Sequence, residues 1–207
     1  MFHKCNNNFS KFDQNKKISF ASIGVISDID GNYLITRRSK CLSTFPGLWV
    51  FPGGRVDNHE NFEEAVLREI HEEVGLNVQK DQNLNYYFYT DNKIKVIVNN
   101  LMIYESTYEK DDFLKSRTFI AVYDIKINSK HRDIPLKLQY EEVEAYKWFD
   151  SKNLLDLLNT NSTQEIKLFV LNEKQEVSEV NENMIFSKCI AYGSKLGFLQ
   201  SLSLNSS

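Results

Sequence analysis

The feature that most constrains this chain is the stretch from residue 60 to 76, which carries a helix's start and stop signals together with most of the chain's surplus negative charge. Asn61 and Glu64 stand in capping-box relation, Phe62, Val66, Ile70 and Val74 recur every four residues, and Gly75 ends the run. The spacing predicts an amphipathic helix over 61–74 whose apolar stripe must lie on a core. The segments around it are rich in β-formers. ISFASIGVIS (18–27) and NYLITRR (32–38) flank the turn signal Asp28–Gly31 and read as a hairpin. LWVF (48–51), stopped by Pro52-Gly53-Gly54, and the stretches 85–90, 93–105, 117–127 and 144–149 read as further strands. A helix over 151–159, a hairpin within 166–180 and a helix over 184–202 complete an α/β (α+β) pattern.

The charge on the first helix requires a reason. Residues 60–76 hold six glutamates and one arginine, a formal −5, whereas the whole chain is only −3, so the remainder is slightly basic. At 100° per residue, Glu69, Glu72 and Glu73 share one edge. Glu69 and Glu73 form a like-charge pair one turn apart, and Glu72 and Glu73 stand in the last turn, where the helix dipole disfavours anions. Glu64 and Arg68 form a favourable pair. The penalties are only about 0.2–0.5 kcal/mol per pair, but a bound divalent cation would reverse their sign. Carboxylate oxygens suit Mg²⁺ or Mn²⁺, and His71 falls on the other side of the helix.

Other features exclude whole classes. With 14 Phe and 10 Tyr the chain can bury a substantial core, so a folded, soluble protein is expected. A pI near 5.9 argues against a broad DNA-binding face. Three scattered cysteines and the absence of an apolar leader or an 18-residue apolar run point to a reducing, cytoplasmic setting with no membrane partner. Residues 1–16 are Asn-rich and aperiodic and read as a flexible arm; 17–150 read as the main domain, and 151–207 as an extension packed on it. No signal for an oligomeric state is present.

The spacing resembles a known signature. Gly54, five residues, Glu60, seven residues, then Arg68-Glu69-Ile70-His71-Glu72-Glu73-Val74-Gly75-Leu76 reproduces every specified position of the Nudix box. The preceding LWVFPGG is similar to the family's usual approach to its catalytic helix. The resemblance to Nudix hydrolases implies an α/β/α sandwich with a mixed sheet and a strand-loop-helix-loop site. It also implies an enzyme that hydrolyses a nucleoside diphosphate linked to another moiety, using Mg²⁺ or Mn²⁺. On this reading Glu69, Glu72 and Glu73 bind metal, one of them or a downstream carboxylate is the catalytic base, the Gly53 and Gly54 backbone lies beside the metal, and Arg68 holds Glu69 and Glu60. Glu142, six residues before Trp148, resembles the additional acid that many members place late in the chain, with Glu141 and Glu105 as weaker candidates. Arg37 and Arg38, ending ITRR, resemble the nucleotide-contacting region of bacterial 8-oxo-dGTP pyrophosphohydrolases.

The stretch LITRRSKCLSTFPGLWVFPGGRV, with YESTY, EEVEAYKWF and YGSKLGFLQSL, is similar to the mRNA-decapping branch of the family. The implied partner is therefore a nucleoside diphosphate-linked small molecule or capped RNA. Capped RNA would need a basic track, for which Lys126, Lys130, His131 and Arg132 are the candidates. Nucleotide, coenzyme A or NADH pyrophosphohydrolysis is the alternative. A Nudix-fold binding module without catalysis is the rival from another class, and retention of Glu60, Glu69, Glu72 and Glu73 argues against it.

Overall fold

The structure, a computed structural model, describes residues 17–89, 93–110 and 113–205. The expected arm over 1–16 lies outside the described residues. Two strands, β1 (Lys17–Ser27) and β2 (Asn32–Arg38), form the expected hairpin, but they pair only at Ile26–Leu34 and Ser27–Tyr33. Beyond that point they separate, and residues 49–55 fill the gap. Strand β3 (Trp49–Val50) pairs with β2, and β4 (Gly53–Arg55) pairs with Ala21–Ile23 of β1. This divergence delivers Gly53 and Gly54 to the middle of the sheet.

Helix α1 (Phe62–Val74) begins at Asn61, whose Oδ1 accepts from the Glu63 and Glu64 amides while the Glu64 carboxylate accepts from the Asn61 amide. The box is thus complete, and Gly75, at φ 76°, closes the helix with its amide on the His71 carbonyl. Glu64 is committed to this cap. Arg68 consequently pairs with Glu72, one turn ahead, instead of with Glu64.

After α1 come β5 (Val78–Lys80), β6 (Tyr86–Tyr89), β7 (Lys93–Lys110), β8 (Phe113–Ile127), β9 (Val143–Asp150), α2 (Ser151–Asn159), β10 (Gln164–Leu171), β11 (Val177–Met184), α3 (Phe186–Cys189) and α4 (Tyr192–Asn205). The strands form one mixed sheet in the order β11-β10-β9-β2-β1-β8-β7-β6-β5, with β3 and β4 off this path. β1 and β8 run parallel in register from Lys17–Ser116 to Ser27–Lys126, while the other ladders are antiparallel.

Both faces of the sheet are covered, so the strands at its centre are apolar on both sides. Leu34 joins Val66, Ile70 and Val74 under α1. Its neighbours Tyr33 and Ile35 point the other way, into a second core with Trp49, Phe51, Phe149, Leu154, Phe186 and Phe198. The result is the expected α/β/α sandwich. Residues beyond 150 supply much of the second layer: Phe198 of α4 meets Tyr33 edge-to-face at 4.9 Å, and the β10–β11 hairpin extends the sheet from β9.

The expected helix over 184–202 is broken. Ile190 leaves the helix to bridge Trp49, and the Ala191 amide donates to the Trp49 carbonyl at 2.9 Å, so tertiary pairing overrides local helical preference. Strands β4 and β5, three residues each, were too short to show a period. Among the described residues no helix is long and apolar enough to cross a membrane.

Candidate active site

The site forms where α1 crosses the gap between β1 and β2. Gly54 lies against the Glu69 carboxylate so closely that a Cβ there would overlap it, and at Gly53, φ 154°, a Cβ would collide with the Ser22 carbonyl. Only glycine lets the backbone run this close to the helix's acids. The Gly53 amide donates to Glu73 Oε2 at 3.1 Å.

Arg68 organises one side of the cluster. Its Nε and Nη2 donate to the two Glu60 oxygens at 3.1 and 2.7 Å, Nη1 donates to Glu69 at 3.0 Å and Glu72 at 2.9 Å, and Nη2 reaches the Arg55 carbonyl. Glu60 also accepts from the Asp57 amide, and its carboxyl is held below the usual range, chiefly by Arg68. The planar guanidinium suits this pattern, since it meets both Glu60 oxygens through two parallel bonds while a further nitrogen reaches Glu69 and Glu72, a geometry that an ammonium does not offer.

The other side is less fully compensated. Carboxylate oxygens of Glu69, Glu73 and Glu142 lie within 4.8 Å of one another. Glu73 is 3% exposed, and burial first, then the neighbouring Glu69, push its carboxyl up to about 8 against an ordinary 4.5. Glu69 is also raised, by burial first and further by Glu72 and Glu142, against the opposing pull of Arg68. Three converging acids with one deeply buried member suit a hard cation bound by oxygen. Glu72, half exposed, is turned towards Arg68 and is not among the three. The helical wheel placed it on the shared edge, but Arg68 draws it aside and Glu142, from the turn before β9, occupies the third corner.

The two arginines of ITRR separate. Arg38 lies near enough for its charge to act on Glu73, and its Nε donates to the Thr44 carbonyl. Arg37 is 8% exposed and points into the opposite layer, paired with Glu144 at 2.6 Å and Glu182 at 2.5 Å and set over the Trp49 ring. The structure therefore does not bring Arg37 to the acids. Strand alternation accounts for the difference. Of the expected basic track, His131 donates its backbone amide to Asp28 and pairs with it through Nδ1, and Lys130 pairs with Asp30. Glu105 pairs with Arg117 across the β7–β8 ladder, and His71 is exposed.

A cavity of about 420 Å³ is lined by Arg38, Gly53 and Gly54, the last two in contact with the acids, and by Phe45, Tyr104 and Tyr192. Sequence reasoning missed these aromatic residues. Tyr104 and Tyr192 lie within YESTY and YGSKLGFLQSL, but nothing local indicates that these distant segments meet.

A family model described as the NUDIX domain matches residues 19–169. The chain is 33% identical over 133 residues to the m7GpppN-mRNA hydrolase NUDT17 of Xenopus laevis, covering 62% of this chain and 40% of that protein. It thus spans about two fifths of that relative's length. It is 28% identical over 140 residues to the nucleoside triphosphatase NudI of Escherichia coli, covering 67% of this chain and 88% of the relative. Its fold matches a MutT protein structure from Methanosarcina mazei, with a TM-score of 0.53, 18% identity and coverage of 94% of this chain and all of that one. With a family match across well over half its length and the box acids assembled in space, the chain belongs to the NUDIX domain family.

Proposed function

We propose that this protein hydrolyses a phosphoanhydride bond in a nucleoside diphosphate derivative, with a divalent cation held by Glu69, Glu73 and Glu142. The observation that carries this reading is the convergence of these carboxylates within 4.8 Å beside Gly53, Gly54 and an open cavity. All-oxygen donors favour Mg²⁺ or Mn²⁺. When bound, such an ion neutralises phosphate charge and acidifies water. The chain's own residues do the remainder. Arg68 fixes Glu69 and Glu60, the Gly53 amide orients Glu73, and Arg38 offers a cation to phosphate oxygens at the cavity mouth. A carboxylate of the cluster takes the proton from the attacking water. Glu72, half exposed, is assigned to the same site as an acid able to exchange Arg68 for a cation.

The name of the Xenopus relative supports the 5′ cap of mRNA as one substrate of this class, and that of the Escherichia coli relative supports a nucleoside triphosphate. The cavity is of a size that suits a nucleoside. We take 17–150 as the catalytic unit and 151–207 as an extension, of which Lys188 and Ile190–Ser194 line the cavity. The thiols of Cys41 and Cys189 are unpaired, in keeping with a reducing cytoplasm.

The test is a product assay of the purified protein against capped RNA, nucleoside triphosphates, coenzyme A, NADH and ADP-ribose, with Glu73→Gln as control. Cleavage dependent on Mg²⁺ or Mn²⁺ and lost in the variant is expected. Binding of these compounds without turnover would instead establish a ligand-binding module.

A further inference from the structure

The cavity is lined by Gly53 and Gly54, which touch Glu73 and Glu69, and also by a segment from far along the chain. Ile190–Ser194 is strapped to the strand that leads into the site: Ile190 bridges Trp49, Ala191 donates to the Trp49 carbonyl, and the Phe51 amide donates to Ser194 Oγ at 2.9 Å. Ser194 is buried. Gly193 lies against the Tyr104 hydroxyl so tightly that any Cβ would overlap it. These contacts leave Tyr192 and Tyr104 side by side at the cavity wall. Tyr104 is half-buried and its phenol is pushed up to about 12, by burial first and then by Tyr192.

Tyr192 is 73% exposed, and Phe45, which lines the same cavity, is 68% exposed at φ 52°. Folding gains little from aromatic rings left in water, but a flat ligand seated against them would bury ring surface on both partners. Arg38 and the Gly53–Gly54 backbone mark the end that suits phosphates. The apolar, aromatic end therefore suits the moiety that the phosphates carry.

Building on the phosphoanhydride reading above, we propose that Tyr192, positioned by the Ile190–Ser194 strap and the Gly193–Tyr104 contact, is a specificity-determining residue that stacks on the substrate's nucleobase. Base stacking is sequence-tolerant, so this wall selects for an aromatic base before it selects among bases.

The test is calorimetric titration with Mg²⁺ present, using α,β-methylene analogues of GDP, ADP and CDP and the base-free methylenediphosphonate. Tyr192→Ala is expected to weaken the nucleoside analogues about tenfold, while methylenediphosphonate binding is unchanged and Tyr192→Phe behaves like the parent. Equal weakening of all four ligands, or unchanged binding of the nucleoside analogues, overturns this inference alone. If the parent binds none of the four, the phosphoanhydride reading falls as well. Tyr192 is exposed, so a melting curve matching the parent's is expected and verifies that the variant is folded.

Discussion

Replacing Glu73 by glutamine separates function from stability in an unusual direction. Glu73 is buried, faces Glu69 and Glu142, and has its carboxyl pushed up to about 8. In the unfolded chain it titrates near 4.5. In metal-free protein the folded state therefore holds its proton more tightly, and stability is lost as pH rises from the lower value through the upper. At pH 7 the gap is roughly 2.5 pH units, which at about 1.36 kcal/mol each is at most roughly 3–4 kcal/mol of destabilisation. Glutamine removes the charge and keeps an oxygen to accept the Gly53 amide. The metal-free variant should then melt several degrees above the parent at pH 7, given about 2–4 °C per kcal/mol for chains of this size. Around pH 4.5 the two should nearly coincide. Mg²⁺ should raise the parent's melting temperature, by mass action on the folded state, and leave that of the variant almost unmoved. Calorimetric scans from pH 4.5 to 8, with and without Mg²⁺, measure all of this. A variant that is less stable than the parent at pH 7, or a gap that does not widen with pH, would refute the placement of a buried carboxylate without a paired cation in this cluster.

Other changes probe the supporting structure. Gly54→Ala should push the Glu69 carboxylate from its place, lowering kcat at least tenfold, while urea melts shift little because only the end of a side chain has to move. Arg68→Lys keeps the charge but loses the fork on Glu60, so kcat should fall about a hundredfold without rescue by the conservative residue; activity near the parent's would show that the clamp is dispensable. Asp28 is buried and receives the Asn32 amide and side chain as well as the His131 amide, with the His131 ring also paired to it. Burial alone would raise its carboxyl, yet these hydrogen bonds hold it below the ordinary 3.8. The resulting stabilisation is present above that value and is lost as pH falls through the folded one. Asp28→Asn should cost about 1–3 kcal/mol at neutral pH, and urea midpoints of parent and variant should draw together in acid.

Local signals made part of this protein legible. Helix α1 matches its expectation to within a residue because the Asn61–Glu64 box, the four-residue apolar period and Gly75 all act within a few residues of themselves. The β1–β2 hairpin and α2 were legible for the same reason. The box spacing likewise placed Glu60, Arg68, Glu69 and Glu73 together, since one helix and one loop carry them all.

What depends on distant partners was decided only by the tertiary structure. Arg37 and Arg38 are adjacent and chemically alike, yet strand alternation buries one between Glu144 and Glu182 and brings the other to the acids. Glu72 and Glu73 are neighbours too, but Arg68 takes the first, and Glu142 completes the cluster with the second. The helix expected to run unbroken over 184–202 gave way at Ile190 to pair with Trp49, and that break carries Tyr192 to the cavity. The sequence by itself thus determined the catalytic helix and its charge, because capping and periodicity are short-range properties. Which side chains share the site was determined by strand register and by contacts between residues far apart in the chain, such as Glu73 with Glu142 and Trp49 with Ile190, which no local pattern encodes.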